Sequence, residues 1–138
     1  MAYWLIKAEP ENDWSWDEQV AKGVEGWDGV RNFTARRNLN TMKKGDECFF
    51  YHSGKEKQIM GIVRVVREAY PDTSDESGRF VMVDVKTDRA LKTPVTLADV
   101  KAEPRLADMR LVRESRLSVG PVDAAAWKLI CKMGGVKP

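Results

Sequence analysis

Short strand-like runs recur from one end of this chain to the other, and helical patterns of unequal length and spacing separate them. Residues 3–6 are aromatic and aliphatic, residues 49–52 and 59–67 follow at mid-chain, and residues 79–87 place Val81, Val83 and Val85 on one face at period two. A doubly wound parallel fold needs strands and helices in regular alternation, each crossover long enough to hold a helix. The irregular spacing instead predicts an α+β domain with a small curved or closed sheet. At 138 residues the chain reads as one domain, 1–138. Such a domain buries roughly two thirds of the surface its unfolded chain exposes, enough for a true core.

The helices between the strands carry their own start and stop signals. Ser15-Trp16-Asp17-Glu18 has capping-box spacing, with Ser15 to cap, Glu18 to reach back and Gly23 to end the helix. A second helix is predicted from Asn32 or Thr34 to Met42, packing through Phe33, Leu39 and Met42 and exposing Arg36 and Arg37. Lys43-Lys44-Gly45-Asp46 reads as a turn, and residues 53–57 as a hairpin loop. Residues 72–78 are polar and suit a surface loop, residues 94–101 a short capped helix, and residues 110–113 a further strand. A last helix follows Asp123, turns Trp127, Ile130 and Cys131 inward, and stops at Gly134-Gly135.

Composition narrows the function classes. Hydrophobic residues make up 43% and charged residues 32%, and no apolar run approaches the ~20 residues of a membrane span, so no membrane partner is expected. Met1-Ala2-Tyr3-Trp4-Leu5-Ile6-Lys7 enters strand-like sequence without a basic n-region or a long apolar stretch, which predicts a cytoplasmic protein. Cys48 and Cys131 are far apart and read as reduced thiols. Two cysteines and one histidine, His52, cannot make a usual structural zinc site without carboxylates, so neither metal nor cofactor is expected. Phosphate-loop, dinucleotide and serine-hydrolase signatures are missing.

The net charge of +2 is too small to announce nucleic-acid binding, but its distribution is uneven. From Glu9 to Asp28 seven acids face one base, Lys22, whereas from Gly29 to Gly45 there are five bases and no acid. At the border stands Gly26-Trp27-Asp28-Gly29-Val30-Arg31-Asn32. Trp4, Trp14, Trp16 and Trp127 fall in strand or helix patterns and are core candidates. Trp27 falls in an apparent loop between glycines, which let the backbone take φ > 0 or approach a ligand closely. An indole face contributes ~1–3 kcal/mol to any base stacked on it, so discrimination falls to Asp28 and Asn32, whose carboxylate and amide can pair with a base edge. Arg31 beside the positive end of a helix capped by Asn32 calls for an anion, either a phosphate or an acid of the preceding stretch.

Three further groupings stand out. Phe49-Phe50-Tyr51-His52-Ser53 ends an apolar strand in polar tips, with Tyr51 and Ser53 on one face and Cys48, Phe50 and His52 on the other. Lys7-Ala8-Glu9 sets a cation beside a carboxylate, an acid–base pair or a surface ion pair. Arg113-Glu114-Ser115-Arg116-Leu117-Ser118-Val119 offers two arginines and two serines to backbone phosphates.

The ordered set Tyr3-Trp4-Leu5-Ile6-Lys7-Ala8-Glu9-Pro10, Trp27-Asp28-Gly29-Val30-Arg31-Asn32, Phe49-Phe50-Tyr51-His52-Ser53, Ala69-Tyr70-Pro71-Asp72 and Ser115-Arg116-Leu117-Ser118-Val119 resembles the EVE domain family over nearly the whole chain. The resemblance implies a PUA-like fold, a bent, barrel-like β-sheet of about five to six strands wrapped by helices and akin to YTH and ASCH domains. It also implies a non-enzymatic reader of modified nucleobases, with modified cytosine in DNA, flipped into an aromatic pocket, as the leading ligand. Some members of the family are tied to modification-dependent restriction, so a restriction or modification system is a partner it suggests.

By that likeness Trp27 is the aromatic wall of a cage, and Asn32, Tyr51, His52 and Ser53 line the same cavity. With Asp28, Lys7 and Ala8 these make up the expected ligand-binding set, and Arg31, Arg36, Arg37, Arg113 and Arg116 the set for the nucleic-acid backbone. Family members commonly carry serine where this chain has Ala8, close to where YTH-like pockets meet the base edge. Two alternatives use the same residues: a small amidohydrolase acting on a modified nucleoside through Lys7, Glu9 and Ser53, as the related ASCH fold implies, and a YTH-like reader of modified RNA.

Overall fold

A computed structural model describes residues 1–138. The apolar alternations become six strands: β1 (Tyr3–Ala8), β2 (Val24–Trp27), β3 (Glu47–His52), β4 (Gln58–Pro71), β5 (Val81–Thr96) and β6 (Val119–Val122). Four α-helices lie between them, α1 (Trp16–Lys22), α2 (Phe33–Thr41), α3 (Leu97–Ala102) and α4 (Arg110–Arg113), and a fifth, α5 (Ala124–Gly134), follows β6. The strands form one mixed sheet in the order β2-β5-β4-β3-β1-β6, with β1 parallel to β3 and every other pair antiparallel. The α+β architecture expected from the sequence is what forms, and the sheet is not closed into a barrel. Its bend has a local cause. Register shifts occur between Phe50 and Tyr51 and at four points along the β4–β5 pairing, and each such bulge kinks and twists a strand.

Because successive side chains point to opposite faces, each face of the sheet has its own core. Trp4, Ile6 and Ala8 of β1 enter one core with Phe50, Val83 and Val85, whereas Leu5 enters the other with Phe49, Tyr51 and Ile62. Trp16 of α1 and Ala35 and Leu39 of α2 cover the first. Val100 of α3, Leu111 of α4 and Trp127, Ile130 and Cys131 of α5 cover the second. Caps set where the helices begin. Ser15 and Glu18 form the reciprocal capping box at 3.1 Å each, and Asn32 and Asp123 accept from Ala35 N–H at 3.0 Å and Ala126 N–H at 2.8 Å.

Four sequence expectations need correction. Residues 110–113 are the short helix α4, in which Arg110 reaches Glu114 one turn on at 2.8 Å, and the strand of that region is β6. Residues 24–27 are an edge strand, Trp27 lying opposite Val83 of β5. Residues 94–96 prolong β5, because Thr96 is the cap of α3 and a cap residue is extended. Phe33 does not pack inward. It is 57% exposed on the first turn of α2, and the smaller Ala35 takes the core position.

Cys48 and Cys131 are free and buried in separate cores, and burial pushes both thiols up, Cys131 to about 11. No helix is long and apolar enough to cross a membrane. Gly61 of β4 lets the Trp16 ring sit directly on the sheet: a Cβ there would lie 2.4 Å from the indole and 2.9 Å from the Arg89 carbonyl oxygen. Gly61→Ala is therefore expected to destabilise the protein by about 1–3 kcal/mol, read as a lower urea midpoint at unchanged m value. An unchanged midpoint would mean that α1 is not held by this contact.

Candidate functional site

The chain after β2 is shaped by one buried carboxylate. Asp72, at the end of β4, accepts hydrogen bonds from Gly29 N–H at 2.9 Å, from the Arg31 guanidinium at 3.0 Å, and from Ser74 N–H and Oγ at 2.7 and 2.6 Å. Burial pushes this carboxyl up, but the bonds from Ser74, Gly29 and Arg31 more than offset that and hold it down to about 2. Arg31 thus has its anion inside the protein, 41 residues away in sequence, rather than among the acids before Trp27. The two glycines flanking Trp27-Asp28 serve different ends. Gly29 takes φ of 77°, which a side chain resists, whereas Gly26 gives room for Met82, whose Cε would lie 2.4 Å from an added Cβ.

This folding of residues 25–31 makes one wall of a cleft of about 160 Å³. Trp27 is only 7% exposed and packs edge-on against Phe50, with ring centroids 5.5 Å apart, while still lining the cleft. Asp28 stands beside it. Burial and the neighbouring carboxylates of Asp72, Glu25 and Asp13 push the Asp28 carboxyl up. The opposite wall comes from Asp13 and Trp14, which precede α1, and from Lys7 and Ser118. Lys7 Nζ donates to the Ser115 carbonyl at 2.8 Å, and burial lowers its pKa. Trp14 is positioned by its own indole N–H, which donates to Gln19 Oε1 at 2.9 Å.

The structure therefore gathers Lys7, Trp27, Asp28 and Arg31 at one cleft and leaves the rest of the expected ligand set elsewhere. Tyr51 lies in the core on the other face of the sheet from Trp27, since residues 50 and 51 alternate. His52 braces α1: its Nε2 accepts from Trp16 N–H at 2.9 Å and its Nδ1 lies 3.3 Å from Glu56. Ser53 Oγ donates to the Ala8 carbonyl at 3.1 Å, Ala8 itself is a core residue, and the Asn32 side chain is occupied as the cap of α2. Nor do Lys7, Glu9 and Ser53 form a reacting group. Glu9 accepts from the Glu11 and Asn12 backbone amides at 3.2 and 2.7 Å, Ser53 and Lys7 donate to backbone carbonyls, and no hydrogen bond joins any two of the three side chains.

Among the arginines, Arg113 pairs with Asp108 at 2.5 Å and Arg36 donates to the Arg79 carbonyl at 3.0 Å, while Arg37 and Arg116 are exposed. No group of three or more His, Cys, Asp or Glu residues is placed to hold a metal ion. Sequence reasoning missed Asp13, Trp14 and Glu25, and it read Ser118 as a phosphate contact rather than as part of the cleft. The signal that could have found the acids was present in the acid-rich run before Trp27, which supplies both Asp13 and Glu25 to the cleft.

A family model described as the EVE domain matches residues 2–133. The chain belongs to the EVE domain family. It is 31% identical to human thymocyte nuclear protein 1 over 99% of this chain and 76% of that protein. The NMR structure of a protein from Rhodopseudomonas palustris superposes with a TM-score of 0.92 at 61% identity, covering 98% of this chain and 94% of that one. The crystal structure of human THYN1 in complex with 5-methylcytosine-containing DNA superposes with a TM-score of 0.91 at 32% identity, over 100% of both chains. The YTH domain of Zygosaccharomyces rouxii MRB1, solved with N6-methyladenosine RNA, shares the fold at a TM-score of 0.59 and 18% identity, covering 99% of this chain and 88% of that one.

The Asp72 cluster sets a pH dependence. A carboxyl held near 2 in the fold, below its ordinary value, contributes stability that is complete above about pH 4 and lost as the pH falls toward 2. Urea midpoints measured between pH 5 and pH 2 are expected to fall for the wild type and to fall less for Asp72→Asn, whose stability is lower already at neutral pH. Parallel curves for the two proteins would remove Asp72 as the acid-sensitive group.

Proposed function

We propose that this EVE domain is a binding module that receives a modified nucleobase, a modified cytosine in DNA, flipped into the cleft beside Trp27. The observation that carries the reading is the pairing of an indole wall with the Asp28 carboxylate in one small cleft. A stacked base gains ~1–3 kcal/mol from an aromatic face, and flipping costs a few kcal/mol, so the stack and the backbone contacts must together exceed that cost. The acids around the indole favour a base edge that donates. Cytosine offers its N4 amino group, which carboxylates accept from. The human relative whose structure contains 5-methylcytosine DNA supports the choice of ligand.

The phosphate contacts fall to cations that have no fixed carboxylate partner. Arg37 and Arg116 are exposed and Arg36 is held by a carbonyl and the Phe33 ring but by no carboxylate, whereas Arg31 and Arg113 are each committed to an aspartate. Neutralising fewer phosphates lowers affinity alike for all sequences and flattens the salt dependence.

Tryptophan fluorescence during titration with oligodeoxynucleotides carrying one cytosine, 5-methylcytosine or 5-hydroxymethylcytosine tests the reading, and RNA of the same sequence separates the polymers. One modified DNA is expected to bind tighter than its unmodified counterpart. Asp28→Ala should weaken the preferred ligand about tenfold, and unmodified cytosine with it because both carry the N4 amino group, while thermal stability stays near wild type because Asp28 is exposed. Trp27→Ala is a poorer probe, since Trp27 is also a core residue and its loss costs about 3–5 kcal/mol of stability. Equal and negligible responses to all three DNAs would sink the proposal.

A further inference from the structure

Beside the cleft, on the first turn of α2, lies a feature that base binding in the cleft does not use. The exposed Phe33 ring stacks on Phe80 with centroids 5.4 Å apart and planes 23° from parallel. A guanidinium lies over each ring: Arg36 at 5.0 Å from the Phe33 centroid and Arg31 at 5.3 Å from that of Phe80. The group is held from several sides. Arg31 is bound to Asp72 and Ser74, Arg36 Nη1 donates to the Arg79 carbonyl, and Phe80 N–H donates to Asp75 at 2.9 Å. Arg31 also lines the cleft, so this cluster is continuous with the mouth of the Trp27 pocket.

A lone exposed apolar side chain needs no explanation, but two stacked rings flanked by two guanidiniums are different. Aromatic faces among arginines are what unpaired bases stack on, the rings taking the base and the cations the backbone. Flipping a base also strips its neighbours of a stacking partner on one side. We infer that Phe33, backed by Phe80 and Arg31, is a second stacking platform that takes the base next to the flipped one, the incoming base displacing the Arg36 guanidinium from the Phe33 ring toward the phosphate. The inference rests on the proposed reading of the cleft for the position of the flipped base. It assigns the platform a nucleotide of the same strand, and the cleft and platform together span adjacent nucleotides.

The test compares two probes on the full chain: the monophosphate of 5-methyl-2′-deoxycytidine, and a fluorescein-labelled single-stranded hexadeoxynucleotide carrying 5-methylcytosine internally, with the unmodified hexamer as control. Phe33→Ala is expected to weaken hexamer binding about tenfold and to leave monophosphate binding unchanged. Phe33→Tyr, which keeps the ring, should retain hexamer affinity, and Phe33→Leu, apolar but without a planar face, should not. The slope of log K against log salt should stay that of wild type in Phe33→Ala, because no phosphate contact is lost.

Equal hexamer affinity for Phe33→Ala and wild type overturns the platform even if the modified hexamer is preferred, and so does a loss shared by the monophosphate. If wild type shows no preference for the modified hexamer yet Phe33→Ala still weakens both hexamers, the cleft reading fails and Phe33 stands as a stacking platform for an unpaired base with no flipped neighbour. A wild type that binds neither hexamer overturns both.

Discussion

The Phe50 ring is the post on which the functional side of the molecule hangs. It is fully buried in β3, and three rings meet it edge-on: Trp16 at 5.2 Å, Trp27 at 5.5 Å and His52 at 5.8 Å. Trp16 brings in α1, and with it the preceding segment that supplies Asp13 and Trp14 to the cleft. Trp27 brings in the edge strand β2. Edge-to-face contacts contribute ~0.5–1.5 kcal/mol each beyond area burial, and they fix ring orientation as well as position. Two walls of the cleft, carried by the successive elements α1 and β2, are therefore referenced to one side chain. His52 completes the arrangement by accepting from the backbone of Trp16, which ties the start of α1 to the end of the same strand.

Asp72 does for the loop what Phe50 does for the rings. The sharp turn at Gly29 points an amide N–H inward, and a buried carboxylate is the partner that makes burying that N–H favourable. The same carboxylate fixes Arg31, which in turn lies over Phe80. A single acid at the end of β4 thus sets the backbone of the cleft wall and the geometry of the neighbouring aromatic cluster. Removing it would leave the Gly29 amide without a partner and the Arg31 guanidinium without its anion, a larger loss than any one of the bonds.

Local chemistry is what the sequence made legible. The Ser15–Glu18 box, the Asn32 and Asp123 caps and the valines of β5 each depend on residues a few positions apart, and each formed where its spacing put it. Residues 110–113 misled because two apolar and two basic residues fit either period over one turn, and β6 was hidden by Gly120 and Pro121. The site was half legible for the same reason. Trp27, Asp28, Arg31 and Lys7 announce themselves by residue type. Nothing local says that Tyr51 faces the other core, since which face of β3 meets Trp27 depends on how β2 and β3 are joined through β5 and β4. The Arg31–Asp72 pair, too, exists only once β5 has paired with both β2 and β4.

The charge segregation along the chain becomes a segregation in space, and it bears on how such a site selects. Asp13, Glu25 and Asp28 from the acidic stretch line the cleft with Trp27, while of the basic stretch only Arg31 reaches it and Arg36 and Arg37 lie on α2 outside. With Arg31 paired to Asp72, three carboxylates face the single free cation Lys7, so the cleft disfavours phosphate and the part of a nucleic acid that dominates affinity is kept from the part of the protein that reads identity. A neutral base with an amino edge meets acceptors there, and one that offers only acceptors at that edge meets repulsion. On the proposed reading, affinity resides in the cationic, aromatic rim and discrimination in the acidic interior. Exchanging the two would give a tighter binder of any strand and a reader of none.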